Sequence, residues 1–342
     1  MKLDASLGTE GEYLRDIDDT ASAAEALGFA GLWTSETKHD AFLPLAIAAN
    51  ETERIELGTS VAIAFSRSPM EVAQTAWDLQ NISDGRFILG LGTQVKAHVK
   101  RRFSMPWDKP VARLREYIGA LRAIWDSFQT EGPLSFEGEF YRHTLMTPFF
   151  NPGPIEHPEI PVYIAGVNTR LASLAGELCE GFHVHPFHSP QYVRKTVEAA
   201  ITEGAQKVGR DPGEVELATS VFVVTGASEL EIEEQREKMR AQISFYASTP
   251  TYRAVLEAHG WEDVGVELGK LARDKKWDEM PRLVTGEMLD AFCVEAAPDE
   301  VGPALKQRYE GLIDRVALYA PFVSGERDAF WRTVVESVST TS

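Results

Sequence analysis

Cysteine is almost missing from this chain: Cys179 and Cys293 are the two thiols among 342 residues. Two cysteines so placed make no disulfide framework and lack metal-ligand spacing, which fits a reducing cytosol. Positive charge is scarce as well. Against 52 acidic side chains stand 34 basic ones, and the net charge of -18 repels nucleic-acid phosphates and anionic lipid. Neither nucleic acid nor a membrane surface is therefore expected as a partner, and the charge reads as solubility. No apolar run reaches the roughly eighteen residues that a membrane-crossing helix needs. Met1-Lys2-Leu3-Asp4-Ala5 leads directly into a strand, without the apolar core of a secretory signal. A cytoplasmic protein is expected. Short-period repeats are absent too, which excludes a solenoid.

What the chain does have is a 44% apolar content, enough for a large core, and one unusually well punctuated stretch from Arg54 to His98. Arg-Ile-Glu-Leu-Gly-Thr-Ser-Val-Ala-Ile reads as a strand. Ser68 caps a helix whose first turn takes Pro69, and Glu71 completes a capping box. Val72, Ala76 and Leu79 then share one face, and Asp84-Gly85 stops the helix before Phe87 begins a second strand. This is a βαβ unit with parallel, buried strands. Both strands end in small residues and hydroxyls, Gly58-Thr59-Ser60 and Gly90-Leu91-Gly92-Thr93, where backbone approaches a flat ligand closely.

The same alternation runs along the whole chain. Leu3–Leu7 is a strand, and a helix follows from Glu12, boxed by Thr9 and Glu12, with Leu14, Ile17, Ala21, Ala24 and Leu27 on its buried face. Leu32–Glu36 is the second strand and Phe42–Glu51 the second helix; Arg113–Phe128 is a strong helix after the fourth strand. Val162–Gly166, Phe182–His185 and Val215–Thr225 continue the strands, followed by helices over Thr169–Leu178 and Pro190–Val208 and by one boxed by Ser228 and Glu231. Phe292-Cys293-Val294 reads as the eighth strand and Val316-Ala317-Leu318 as an extra one. Eight β–α units argue for one α/β domain spanning 1–342, a (β/α)8 TIM barrel with insertions. The excursions fall near 130–160, a hairpin turning at Gly138, and 244–290, helical and polar, where Trp261, Trp277 and Met280 either cover a pocket or simply pack.

In such a barrel the chemistry sits at the carboxyl ends of the strands. Three chemistries compete there. His183-Val184-His185 with His188 offers imidazoles for a metal, but no aspartate partner is evident, and a pocket wall reads better; no metal is assigned. Nucleophilic hydrolysis lacks a Gly-x-Ser-x-Gly elbow and a cysteine signature. A flat redox cofactor across the third and fourth strands is the third reading, with Gly166-Val167-Asn168 ahead of Thr169-Arg170 as an anion nest.

The residues bear a resemblance that bears on this choice. Ala-Glu-Ala-Leu-Gly-Phe-Ala-Gly-Leu-Trp before Ser35-Glu36, Arg-Ile-Glu-Leu-Gly-Thr-Ser-Val at 54–61, Ser-Pro-Met-Glu-Val-Ala, and Asp-Leu-Gln-Asn-Ile-Ser-Asp-Gly-Arg-Phe-Ile-Leu-Gly-Leu-Gly occur in that order. Phe-Glu-Gly-Glu-Phe-Tyr, Ile-Pro-Val-Tyr-Ile-Ala-Gly and Ala-Ala-Pro-Asp-Glu-Val complete the set. Together they resemble the luciferase-like monooxygenase superfamily, bacterial luciferase-like barrels that use flavin or deazaflavin, and most of all its coenzyme F420 branch. The resemblance implies a non-proline cis peptide at Ser60-Val61 behind the ring, with Thr93, Gln94 and Val95 at its polar edge and His98 nearby. It implies Ala165, Gly166, Val167 and Asn168 beside the ribityl phosphate; Gly90 reads almost equally as barrel packing. The branch often places a histidine directly after the acid that ends the second strand. Here Thr37 follows Glu36, so Glu36 and His39 are both candidates for proton transfer.

The expected function is a coenzyme F420-dependent oxidoreductase that moves a hydride between the deazaflavin and a small organic substrate. An FMN-dependent two-component monooxygenase is the alternative, and a non-catalytic flavin-binding barrel the second. The resemblance also implies a homodimer through the second and third helices.

Overall fold

The computed structural model describes residues 1–8 and 14–339. Eight parallel strands close on themselves: β1 Lys2–Ser6, β2 Gly31–Thr34, β3 Glu56–Thr59, β4 Phe87–Gly92, β5 Val162–Gly166, β6 Gly181–Val184, β7 Glu216–Val224 and β8 Arg315–Leu318. Closure is made by β8, which pairs with β1 (Lys2 with Arg315) and with β7 (Ala218 with Arg315). This corrects the strand assignment. Arg315–Leu318 is the eighth barrel strand, and Cys293–Glu295 is the extra one, paired with Phe222–Val224 at the far end of β7. The two runs are equally short and apolar, and only the long-range register separates them.

Between the strands lie α1 Ile17–Leu27, α2 Leu43–Glu51, α3 Pro69–Ile82, α4 Pro110–Thr130, α5 Thr169–Leu178, α6 Glu198–Val208, α7 Glu229–Ala247, α8 Val301–Tyr309 and α9 Asp328–Ser339. The helix α3 starts as its sequence dictates. Ser68 Oγ accepts from the Glu71 N–H, and a Glu71 carboxylate oxygen accepts from the Ser68 N–H. On α4, Leu114, Ile118, Leu121 and Trp125 are buried as their spacing predicts. The first helix is shorter than expected: it begins at Ile17, and Leu14 is exposed rather than on the buried face. The Thr9–Glu12 capping box lies outside the described residues. The expected helix over 190–208 contains a π turn at Val193–Val197 before α6. The hairpin of the first excursion pairs Phe136 with His143. In the second, Met280 is buried, Trp261 half-buried and Trp277 exposed.

The barrel interior is built in layers. At the amino-terminal end, the fully buried Arg315 guanidinium bonds both Asp4 carboxylate oxygens at 2.8 and 2.9 Å and a Glu56 oxygen at 2.5 Å. Trp33 Nε1 donates to the same Asp4 at 2.7 Å. Trp33, Ile88, Tyr163 and Ala218 form the apolar layer above this floor. His183 stands edge-on to Trp33 next. Two residues further along, the inward positions of five strands are small, Ser6, Gly90, Ala165, Ser220 and Ala317, with Gly92 after Gly90, whereas β6 is followed by His185. The core thus thins at the carboxyl ends of β4 and β5, while His185, Phe222 and Tyr319 fill the side of β6 to β8.

Candidate active site

The small residues sit on either side of a cis peptide. Ser60-Val61 is the bond in cis, where the resemblance places it. It separates β3 from a two-residue strand, Ala62–Ile63, that resumes pairing with β4. Side chains added at Gly90 or Gly92 would destroy this arrangement. A Cβ at Gly90 would lie 1.8 Å from the Thr59 carbonyl oxygen, and one at Gly92 would lie 2.5 Å from Val61 Cγ2. Gly90 is therefore a packing requirement of the β3–β4 contact, and Gly92 makes room for the Val61 side chain. Ser60 and Val61 are half-buried at the mouth. Thr93 and Gln94 follow directly, Gln94 in the left-handed region with φ of 57°, its side-chain oxygen accepting from the Val95 N–H. Val95 and His98 are exposed, on and before the short helix Lys96–Arg101.

The loop after β2 is pinned to this bulge by ion pairs. Glu36, buried, accepts the Ile63 N–H and an Arg67 N–H on the same oxygen, each at 2.7 Å. The other Arg67 nitrogen bonds Asp40 at 2.6 Å, and the guanidinium lies over the Phe42 ring. Burial alone would raise the Asp40 carboxyl, yet the Leu43 and Phe42 N–H groups and Arg67 outweigh it and hold the group below its ordinary value. Burial likewise opposes the Arg67 charge, and the two carboxylates win, raising it. Sequence reasoning found Glu36 and missed Arg67, thirty-one residues away; its signal was a lone arginine between two small-residue segments. His39 is exposed on the same loop.

At the end of β5, Ala165, Gly166 and Val167 are half-buried and Asn168 exposed. The Asn168 side chain caps α5 by accepting the Leu171 N–H at 3.0 Å. Gly166 has a packing reason of its own, since a Cβ there would meet the Leu171 side chain at 2.7 Å. The ends of β3, β4 and β5 therefore bring Ser60, Val61, Thr93, Gln94 and Ala165–Asn168 to one side of the mouth; Val95 and His98 stay on its rim. A flat ring with an anionic tail fits these groups. Ser60, Gly92 and Ala165 present only small side chains there, and the amino end of α5 favours negative charge.

The three histidines in and just after β6 go three ways. His183 faces inward, 5.0 Å from Trp33 and 5.4 Å from Tyr163 between ring centres, and burial pushes its pKa down to about 3. His188 is buried with Nδ1 against the His185 and Pro186 carbonyls. His185 lies at the mouth against Tyr246 and Tyr252. Among the described residues the convergent metal-ligand set is instead Asp84, ahead of β4, with Glu156 and His157, ahead of β5, all exposed and at the opposite end of the barrel. A cavity of about 390 Å³ lined by Cys293, Glu295, Ala304 and Arg308 lies outside the barrel, away from these convergent groups. No helix among the described residues is long and apolar enough to cross a membrane.

Residues 1–315 match the family model for luciferase-like monooxygenases. The chain is 46% identical to an uncharacterised protein of Mycobacterium tuberculosis over 92% of each. A putative coenzyme F420-dependent oxidoreductase of the same organism is 29% identical, with 88% of this chain and 90% of that one covered. The coenzyme F420-dependent tetrahydromethanopterin reductase of Methanopyrus kandleri superposes with a TM-score of 0.78 at 21% identity, over 98% of both chains.

Proposed function

Because the chain belongs to the luciferase-like monooxygenase family, we propose that this oxidoreductase uses coenzyme F420 and transfers a hydride to or from a small organic substrate at the barrel mouth. The observation that carries the reading is the grouping of Gly92, Ser60-Val61 and Ala165 with the amino end of α5, in a chain whose relatives include a putative coenzyme F420-dependent oxidoreductase. When bound, the coenzyme supplies the hydride chemistry. Val61 and Gly92 would support the ring, Thr93 and Gln94 would meet its polar edge, and Val167-Asn168 with the first turn of α5 would hold the phosphate. Glu36, fixed by Arg67 and Ile63, is the carboxylate held closest to the bulge, and the exposed His39 would exchange the proton with water.

Titration of purified apo-protein with F420 and separately with FMN, followed in each cofactor's own visible band, tests this. Saturable F420 binding with no FMN binding is expected. The reverse result makes the protein an FMN monooxygenase, and F420 binding without turnover on any alcohol, aldehyde or enone makes it a binding barrel.

The same proposal includes a homodimer through α2 and α3. It is supported by an outward face of α2 that is apolar at Leu43, Ala46 and Ile47, with Ile82 exposed at the end of α3. Light scattering should give twice the 37.9 kDa chain mass, and a monomer at micromolar concentration would sink it.

A further inference from the structure

After β6 the chain enters α6 through the π turn at Val193–Val197, a form found mostly at functional sites. Buried positions along this stretch include Tyr192, Val197, Ile201 and Ala205, spaced five, four and four. In an α-helix, residues five apart point about 140° away from each other, whereas an i→i+5 turn brings them to one side. The π turn therefore puts Tyr192 on the face that α6 packs against α5. That packing leaves no slack. A Cβ at Gly176 would lie 2.1 Å from the Ile201 carbonyl oxygen, and one at Gly204 would lie 1.9 Å from the Ser173 carbonyl oxygen.

From there Tyr192 reaches the amino end of α5: its hydroxyl donates to the Val167 carbonyl oxygen at 3.0 Å. The side chain is buried, and burial pushes the phenol up to about 12, so the donor proton stays in place at physiological pH. Ser189 Oγ accepts the Tyr192 N–H and holds the start of the turn. A trans peptide is planar, with its C=O and the following N–H on opposite sides. Because the Val167 carbonyl faces the buried Tyr192, the Asn168 N–H faces away, toward the exposed side of the loop. Among the described residues that N–H has no protein acceptor. The N–H groups of Thr169 and Arg170, in the first turn of α5, have no acceptor within the helix either.

We propose that Tyr192 is a positioning residue for the coenzyme's phosphate: it holds the Val167–Asn168 peptide in the orientation that aims the Asn168 N–H, with those of Thr169 and Arg170, at the phosphate oxygens. The proposal rests on the coenzyme reading only for the presence of a ribityl phosphate, which F420 and FMN share. Without the Tyr192 hydroxyl the Val167 carbonyl loses its buried partner and the peptide is no longer fixed. Its carbonyl oxygen is then free to turn toward the anion and repel it. Tyr192 lies behind the loop and acts through it.

Fluorescence titration of wild type and Tyr192→Phe with two ligands tests this: F420, and the same deazaflavin carrying its ribityl chain but no phosphate or tail. The substitution keeps the ring and its packing, and circular dichroism checks the fold. Affinity for F420 should fall about tenfold, the effect of one lost hydrogen bond that orders a charge-binding group. Affinity for the phosphate-free compound should be unchanged, a selectivity that a purely structural role would not produce. Unaltered F420 affinity in Tyr192→Phe overturns the proposal. An equal loss for both ligands overturns it as well, and makes Tyr192 a packing residue. If FMN binds in place of F420, the pair FMN and riboflavin reads Tyr192 in the same way, and only the choice of coenzyme falls. Binding of neither pair to wild type overturns both.

Discussion

Turnover in Arg67→Met should fall by about a hundredfold, the cost of displacing a catalytic loop by roughly an ångström. The substitution keeps an unbranched apolar stem but removes the guanidinium, and with it the contact over Phe42 and the counter-charge of two carboxylates. Glu36 is 8% exposed and does not relax into water without moving the loop after β2 away from Ile63. Coenzyme affinity should change much less, because Val61, Gly92 and the amino end of α5 do not touch Arg67. Steady-state kinetics beside a coenzyme titration separate the two effects. Glu36→Gln retains an acceptor for Ile63 and refines the assignment. A smaller loss than in Arg67→Met makes Glu36 a positioning residue, whereas an equal or greater loss makes its carboxylate a proton-transfer group. His39→Ala, at an exposed position, should cost about threefold or less. Unchanged rates in both Arg67→Met and Glu36→Gln would remove this segment from the mechanism.

Arg315→Met should destabilise the fold by about 3–5 kcal/mol, the penalty for leaving buried carboxylates without their partner. Asp4 is 2% exposed and Arg315 1%, and the two make a paired, in-plane contact that Trp33 Nε1 completes. Glu56 shares the guanidinium and also meets Lys2, so part of its charge stays compensated. Urea denaturation should show a lower midpoint at unchanged slope. The double variant Asp4→Asn/Arg315→Met should recover part of the loss, because it removes the orphaned charge together with its partner. A shift below about 1 kcal/mol would mean that water enters the barrel floor and screens the cluster. The mouth lies at the other barrel end, so kinetics of folded protein should be little changed.

The two variants probe opposite ends of one construction. Around the floor, charged groups are buried because they satisfy each other; above them the interior steps through Trp33 and His183 to glycine, alanine and serine. A polar cluster at the closed end, and small residues on the β4–β5 side of the open end, are what let a packed barrel hold a ligand at one face only.

Local signals alone determined a good deal. The Ser68–Glu71 box, the buried face of α4 and the glycine-ended strands are set by contacts within a few residues, so spacing reveals them, and eight alternations name the barrel. Resemblance in the ordered motifs carried the cis bond at Ser60-Val61 and the family. Tertiary structure alone decided which short apolar run closes the barrel, since Arg315–Leu318 finds β1 more than three hundred residues away and Cys293–Glu295 does not. It decided that Glu36 faces Arg67, that His183, His185 and His188 diverge, and that Tyr246 and Tyr252 reach the mouth. Those outcomes rest on pairing energies between distant segments, which leave no period or cap in the chain that forms them.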